Sequence, residues 1–303
     1  MATSTHSRSH KKTIVRSFWH VVDRAAPGIG ARHATRLWFT VPRPGPVEPV
    51  PGGRAFTVTV DGRRVAGRTW GDDTGPAVLL VHGWGGRGDQ FGALVAPLVA
   101  AGHRVLAFDA PGHGGSAPGR WGPRQATIPE FTAAIEAVVA EHGRPHAVVA
   151  HSLGAAAVGL ALRGGLRPDA LVLVSPLADA WRYLDGFAAV VGFGPRVRAR
   201  VERRIVARVG LPWGAFDLRT VPRSAPVPPL LVVHDRRDRE VAFRDGEEIA
   251  AAWPAAELIP TAGLGHRRIL REPGVVDAIA GFVTASRPGS GAQRFPQTLE
   301  RAS

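Results

Sequence analysis

Acyl transfer to and from a side chain needs a nucleophile, a base within hydrogen-bond reach of it and a third group that orients the base. Residue types for all three roles occur in this chain. Ser152 lies in the stretch Ala150-His151-Ser152-Leu153-Gly154, between the short apolar run Ala147 to Ala150 and a helical pattern over 153–163. The small residues at Ala150 and Gly154 suit a strand-to-helix corner so tight that neighbouring backbones nearly touch. A hydroxyl there is exposed just before a helix N-terminus, whose free N–H groups favour negative charge on a bound oxygen. The same five residues also describe an ordinary junction with a capping serine.

A base and an orienter are available downstream. His266 stands in Gly263-Leu264-Gly265-His266 and Asp238 in His234-Asp235-Arg236-Arg237-Asp238, each after an apolar run, so the chain order is Ser152, Asp238, His266. Asp235 and Glu240 are rival acids, although Asp235 is one residue past His234 and Glu240 begins the next turn. His234 itself reads as a packing residue at a strand end.

The elements that must position these residues follow from periodicity. Phe56 to Val60 alternates apolar and polar, Asp61-Gly62 is a hairpin turn and Val65 to Trp70 returns, which predicts an antiparallel edge. Continuous apolar runs at Ala77 to Val81, Val105 to Phe108, Ala147 to Ala150, Leu171 to Val174 and Leu230 to Val233 suit parallel strands covered on both faces, and Ala256 to Ile259 adds another strand. Helical patterns over about 89–101, 128–141, 153–163, 244–253 and 273–283 intervene. Strands alternating with helices make a doubly wound α/β sheet, whose ligands bind beyond the carboxyl ends of the strands. Ser152, Asp238 and His266 all fall at such ends.

Two regions break this rhythm. Residues 176–225 have no strand signal, but Val197, Val201, Ile205 and Val209 recur every four residues among arginines, which predicts a helical cap inserted after a strand. Near the N-terminus Ile14, Val15, Phe18, Trp19 and Val22 recur at helical spacing, an amphipathic basic helix that would either dock on the protein or lie weakly on an anionic membrane surface. The expected organisation is a basic extension over 1–54, a core over 55–175 and 226–286, a cap over 176–225 and a disordered tail over 287–303. Residues 1–12 are also expected to be disordered.

The net charge of +13 is concentrated in the same two regions: +7 over 1–54 and +5 over 176–225, against +1 over 55–175 and zero over 226–303. With no nucleic-acid motif and a single tyrosine, this charge does not indicate a specific nucleic-acid partner. The absence of cysteine excludes disulfides and thiolate metal sites. No run of 18 apolar residues exists, and residues 13–22 lack a small-residue cleavage site after them. A cytoplasmic protein, peripheral at a membrane at most, is the expectation.

On Ser152, Asp238 and His266 in that order, His82 to Gly86 (HGWGG) and Phe108 to Ser116 (FDAPGHGGS), the sequence resembles the α/β-hydrolase fold family over about residues 55–285. The first elbow position is Ala150 where the family has glycine, a change of one methyl group. The resemblance implies a serine nucleophile rather than the aspartate of epoxide-opening and dehalogenating relatives. It also implies an oxyanion hole from the backbone N–H groups of Trp84 and Leu153. His82, Gly83 and His151, which adjoin these motifs, are expected to contact substrate. His82, His113 and His151 also invite a metal hypothesis, but the motifs account for them and no carboxylate falls at a ligand spacing. Trp84, Trp181 and Trp213 are candidates to line an apolar acyl pocket. The implied activity is hydrolysis of a carboxylic ester, lipid-like in view of the arginines, with no metal or cofactor. An acyltransferase or thioesterase would use the same residues, and a small-ligand receptor would retain only the fold. Oligomeric state is not legible.

Overall fold

The computed structural model describes residues 17–43 and 45–286. The expectations for residues 1–12, for Ile14 and Val15 and for the tail 287–303 lie outside the described residues. The chain packs as two compact units: one joins the segment ending at Thr40 to Ala180–Ala215, the other joins Val41–Asp179 to the segment that starts at Phe216.

The larger unit is built on one eight-stranded sheet. Its strands are β1 (Arg54–Val60), β2 (Arg63–Trp70), β3 (Ala77–Val81), β4 (Arg104–Phe108), β5 (Ala147–His151), β6 (Ala170–Val174), β7 (Leu230–Asp235) and β8 (Ala256–Thr261). The order across the sheet is β1-β2-β4-β3-β5-β6-β7-β8. Only the β1–β2 and β2–β4 pairings are antiparallel, and the rest are parallel. Every residue of β3, β5, β6 and β7 is buried, which is why these strands read as unbroken apolar runs. The parallel register places Ala150 beside Val81 and Leu173, and Val174 beside Val233. In this register β5 and β6 end together, β3 one residue short of them, and β7 runs two residues further.

Helices of this unit show ordinary start and stop signals. The helix Ile128–His142 opens on Thr127, whose hydroxyl bonds both the Glu130 N–H and the Glu130 carboxylate, and ends at Gly143 with φ +85°. With Gly92–Ala100 as α3 and Ile128–His142 as α4, the helix Leu153–Arg163 is α5, and it begins at the residue after Ser152.

The smaller unit is helical throughout its named elements: α1 over residues 17–25, α2 (Pro27–Trp38), α6 (Arg182–Val191) and α7 (Pro195–Val209). Helix α7 starts with Gly194 and Pro195, stops at Gly210 with φ +74°, and buries Val197, Val201 and Ile205, the residues of its four-residue repeat. Each such aliphatic side chain contributes about 1.5–3 kcal/mol by leaving water. Trp19, Ala31, Ala34 and Phe39 share one core with Leu184, Phe193 and those α7 residues. The Asp23 carboxylate accepts the Val197 N–H at 2.7 Å, capping α7 from α1. The N-terminal segment and the 180–215 helices, read from the sequence as separate regions, thus form one hydrophobic core. Helix α2 has no counterpart in the sequence reading, because its inward row, Gly30, Ala31, Ala34 and Thr35, holds none of the large apolar side chains that mark an apolar stripe.

Candidate active site

Ser152 is the last residue before a helix and the first after β5, and its backbone is at φ +54° and ψ −124°. This conformation is costly for a residue with a side chain and persists only where the surroundings impose it. The surroundings are visible at two glycines. A Cβ on Gly154 would lie 2.5 Å from the His82 carbonyl oxygen and 2.7 Å from that of Val81, and one on Gly83 would lie 2.9 Å from the Ser152 Cβ. The helix N-terminus and the loop after β3 thus approach the elbow as closely as backbones allow. Ala150, at the position where a glycine was the norm, is fully buried in β5 without disturbing the corner.

The structure brings Asp238 and His266 together: His266 Nδ1 lies 2.7 Å from Asp238 Oδ2. Both side chains are shielded from solvent. Burial by itself would push the Asp238 carboxyl up. The imidazoles of His234 and His266 and the Val241 N–H outweigh it and hold this carboxyl far below the ordinary carboxylate range. An ionised Asp238 accepts the His266 Nδ1–H, which leaves Nε2 as the ring's acceptor.

Asp235 is not an alternative partner of His266. Its Oδ2 accepts the Thr261 hydroxyl at 2.9 Å and the Leu264 N–H at 2.8 Å, and its Oδ1 accepts the Arg237 N–H at 2.8 Å. It therefore joins the turn that carries Asp238 to the loop that carries His266. His234 is buried, donates from Nε2 to the Val241 carbonyl at 3.2 Å and lies 3.6 Å from Asp238 Oδ2, so its ring backs the acid as well as packing the core.

His82 and His151, expected with Gly83 to contact substrate, are also held by hydrogen bonds within the fold. His82 donates from Nδ1 to the Gly83 carbonyl at 2.7 Å and accepts the Ala110 N–H on Nε2 at 2.9 Å. His113 accepts the Gly85 N–H at 3.1 Å and donates to the Pro111 carbonyl at 3.0 Å. His151 donates to the carbonyl of His266 at 2.9 Å and accepts the Gln90 amide at 3.3 Å. Both nitrogens of each ring are thus engaged within the fold. His82 and His113 hold the loop after β3 against the loop after β4, and His151 holds the backbone of His266. Gly83 is the close-approach residue described above. Among the described residues no group of three or more His, Asp or Glu is arranged to hold a metal ion.

That loop is closed by a Gly86 N–H to Gly83 carbonyl bond at 3.0 Å, and it leaves the Trp84 N–H without a partner among the described residues. The Leu153 N–H, first of its helix, has no intrahelical acceptor either. The sequence reading did not single out Gln90 or Asp109. Asp109 accepts the Gly88 N–H at 2.8 Å and the Gly115 N–H at 2.7 Å, tying the two loops together from below. Its place in FDAPGHGGS was the available signal. Ser175, at φ +46° after β6, is buried with a hydroxyl that has no partner among the described residues. Of the candidate pocket tryptophans, Trp84 packs on His113 and Phe131 in the larger unit, while Trp181 and Trp213 pack on each other at 4.4 Å in the smaller one.

Residues 78–279 match the alpha/beta hydrolase family. The chain belongs to that family. A serine hydrolase-like protein of Danio rerio is 33% identical over 106 residues, which are 35% of this alpha/beta hydrolase and 32% of that protein. The matches span about a third of the length of the curated relatives. Among solved structures, the esterase RhEst1 from Rhodococcus sp. ECU1013 is 20% identical with a TM-score of 0.57, covering 79% of this chain and 99% of that one. A thioesterase domain from the curacin biosynthetic pathway is 18% identical with a TM-score of 0.58, covering 77% and 99%. These likenesses show the fold. No helix among the described residues is long and apolar enough to cross a membrane.

The buried histidines predict that the protein loses stability in acid. Burial pushes His82 down to about 4, and it pushes His113 and His151, each also beside another imidazole, down to about 3. All three are neutral when folded near pH 5, whereas in the unfolded chain they titrate near 6.5. From about pH 6.5 down to about 4 the unfolded state binds more protons, so stability falls as pH falls, by up to about 1.4 kcal/mol per pH unit for each ring. Asp238, held low, adds a further loss once the pH drops below the ordinary carboxylate range. Urea midpoints measured between pH 7.5 and 4.5 should decline steeply over the lower half and be nearly flat above about pH 7. A flat profile throughout would mean that these rings take up protons in the folded protein as readily as in the unfolded chain.

Proposed function

We propose that the protein is a serine hydrolase of carboxylic esters that works through an acyl-enzyme. The observation that carries this reading is the Asp238–His266 pair at 2.7 Å, at the same sheet edge as a strained Ser152 that opens a helix. His266 Nε2 takes the Ser152 proton as Oγ bonds the ester carbonyl carbon, and the carbonyl electron pair moves onto oxygen. The N–H groups of Trp84 and Leu153 hold that oxyanion. Collapse expels the alcohol, which takes the proton from His266. Water, deprotonated by His266, then attacks the acyl-enzyme and releases the acid. Asp238 keeps the proton on Nδ1 and balances the imidazolium. Family membership, the serine hydrolase-like relative and the esterase neighbour support this assignment. A thioester meets the same groups, a reading favoured by the thioesterase neighbour.

The test is a fluorophosphonate probe on the purified full-length protein, with the adduct located by peptide mass spectrometry, followed by nitrophenyl esters from acetate to laurate and the matching acyl-thioesters. The adduct is expected on Ser152, with oxygen esters turned over faster than thioesters. A folded protein that takes no label would overturn the reading in favour of a small-ligand receptor on the same fold.

A further inference from the structure

Of the six large apolar side chains that are exposed among the described residues, five belong to the helical unit. Phe18 and Val21 on α1, Ile29 on α2 and Val190 on α6 are 60%, 62%, 62% and 87% exposed. Their directions follow from what each helix buries. Helix α1 turns Trp19 and Asp23 inward, with Trp19 at 5.7 Å from Phe193 and Asp23 on the N-terminus of α7. At 100° per residue, Val21 then points almost directly outward and Phe18 flanks it. Helix α2 buries Gly30, Ala31, Ala34 and Thr35, which leaves Ile29, Arg32 and Arg36 on one outward row. Gly30 packs on Val22 and Val197, and Asp23 on Val197, so both helices rest on α7 and both outward rows face away from it.

The charge of this unit is one-sided. Its described residues include ten arginines and three carboxylates. Asp23 is buried as the cap of α7, while Asp185 and Glu202 both pair with Arg198 at 2.5 and 2.8 Å. Among the described residues of this unit no further carboxylate is left to neutralise Arg32, Arg196, Arg203 or Arg204.

We propose that the outward face of α1 and α2 is a docking surface for an anionic lipid bilayer. The apolar residues enter the boundary between headgroups and acyl chains, and the arginines lie at the depth of the lipid phosphates. Charge argues for this occupant. A second copy would bring the same excess of arginine against itself, and a nucleic acid would neutralise the arginines but leave Phe18, Val21 and Ile29 in water. The proposal is independent of the reaction at Ser152.

Deletion of the N-terminal segment would not test it, because Trp19, Ala31, Ala34 and Phe39 are core residues of the unit. The experiment is flotation of the full-length protein with vesicles of phosphatidylcholine alone or with about one third phosphatidylglycerol. The wild type should float with the anionic vesicles, fail to float with the neutral ones and be partly released at about 0.5 M salt. Phe18→Asp with Val21→Asp should weaken partitioning at least about tenfold. Arg32→Glu should weaken it about fivefold or more, since each arginine near an anionic leaflet contributes about that factor. The thermal midpoints of both variants should match wild type, because these side chains already stand in water. Wild type that stays unbound, binding that is equal on neutral vesicles, or a Phe18→Asp/Val21→Asp protein that floats like wild type overturns the proposal. Dimerisation without flotation would assign the face to a second copy instead.

Discussion

Ser152→Ala should remove fluorophosphonate labelling and lower kcat on nitrophenyl esters by about 10⁵–10⁶-fold, with KM changed little. The residual rate would come from substrate binding and from oxyanion donors that belong to the backbone and survive the substitution. The fold should be unharmed, since alanine differs by one oxygen and the Ser152 side chain makes no cap on its helix. Removing a hydroxyl cannot worsen the φ +54° strain that the neighbouring backbones impose. Comparison of kcat and of the urea midpoint for the two proteins checks both halves. Activity within tenfold of wild type would place the nucleophile elsewhere, and a lowered midpoint would show that the hydroxyl has a structural role.

Asp238→Asn should lower kcat by about 10⁴-fold at neutral pH. An amide offers a donor as well as an acceptor where a carboxylate offers only acceptors, so His266 is free to put its proton on Nε2, the nitrogen that accepts from Ser152 in the proposed reaction. It also leaves the imidazolium that forms during reaction without a counter-charge. Asp235→Asn is the informative comparison. Its carboxylate accepts from Thr261, Leu264 and Arg237 and not from His266, so the variant should lose stability and a smaller part of its turnover. Equal losses of kcat at 235 and 238, with equal midpoints, would mean that the two carboxylates exchange roles.

The legible parts of this protein are those whose cause is local. Strands buried on both faces have to be continuously apolar, so Leu171 to Val174 and Leu230 to Val233 could be read as parallel strands without knowing their partners. The Asp61-Gly62 turn could be read because both positions adopt positive φ, +48° and +73°, which few residues tolerate. The corner at Ser152 was legible for the same reason, since only small neighbours permit it. The alternation of elements then placed Ser152, Asp238 and His266 after the carboxyl ends of strands of one sheet.

What the sequence by itself determined, then, was the order of the elements of the larger unit, the mostly parallel sheet and the family, because each rests on residues within one element or on motifs in chain order. What only the tertiary structure decided were the partners of groups far apart in the chain. His82, His113 and His151 differ little as sequence, but the structure engages all of their ring nitrogens on backbone or amide groups, so each braces a particular pair of loops. Asp235 and Asp238, three residues apart, were rivals until the turn sent one to Leu264 and the other to His266. The helices of 17–40 and 180–215 share a core across about half the chain, and no periodicity within either segment specifies which apolar face the other will bury. Hydrogen bonds and packing between distant segments depend on three-dimensional proximity, and that proximity exists only once the chain has folded.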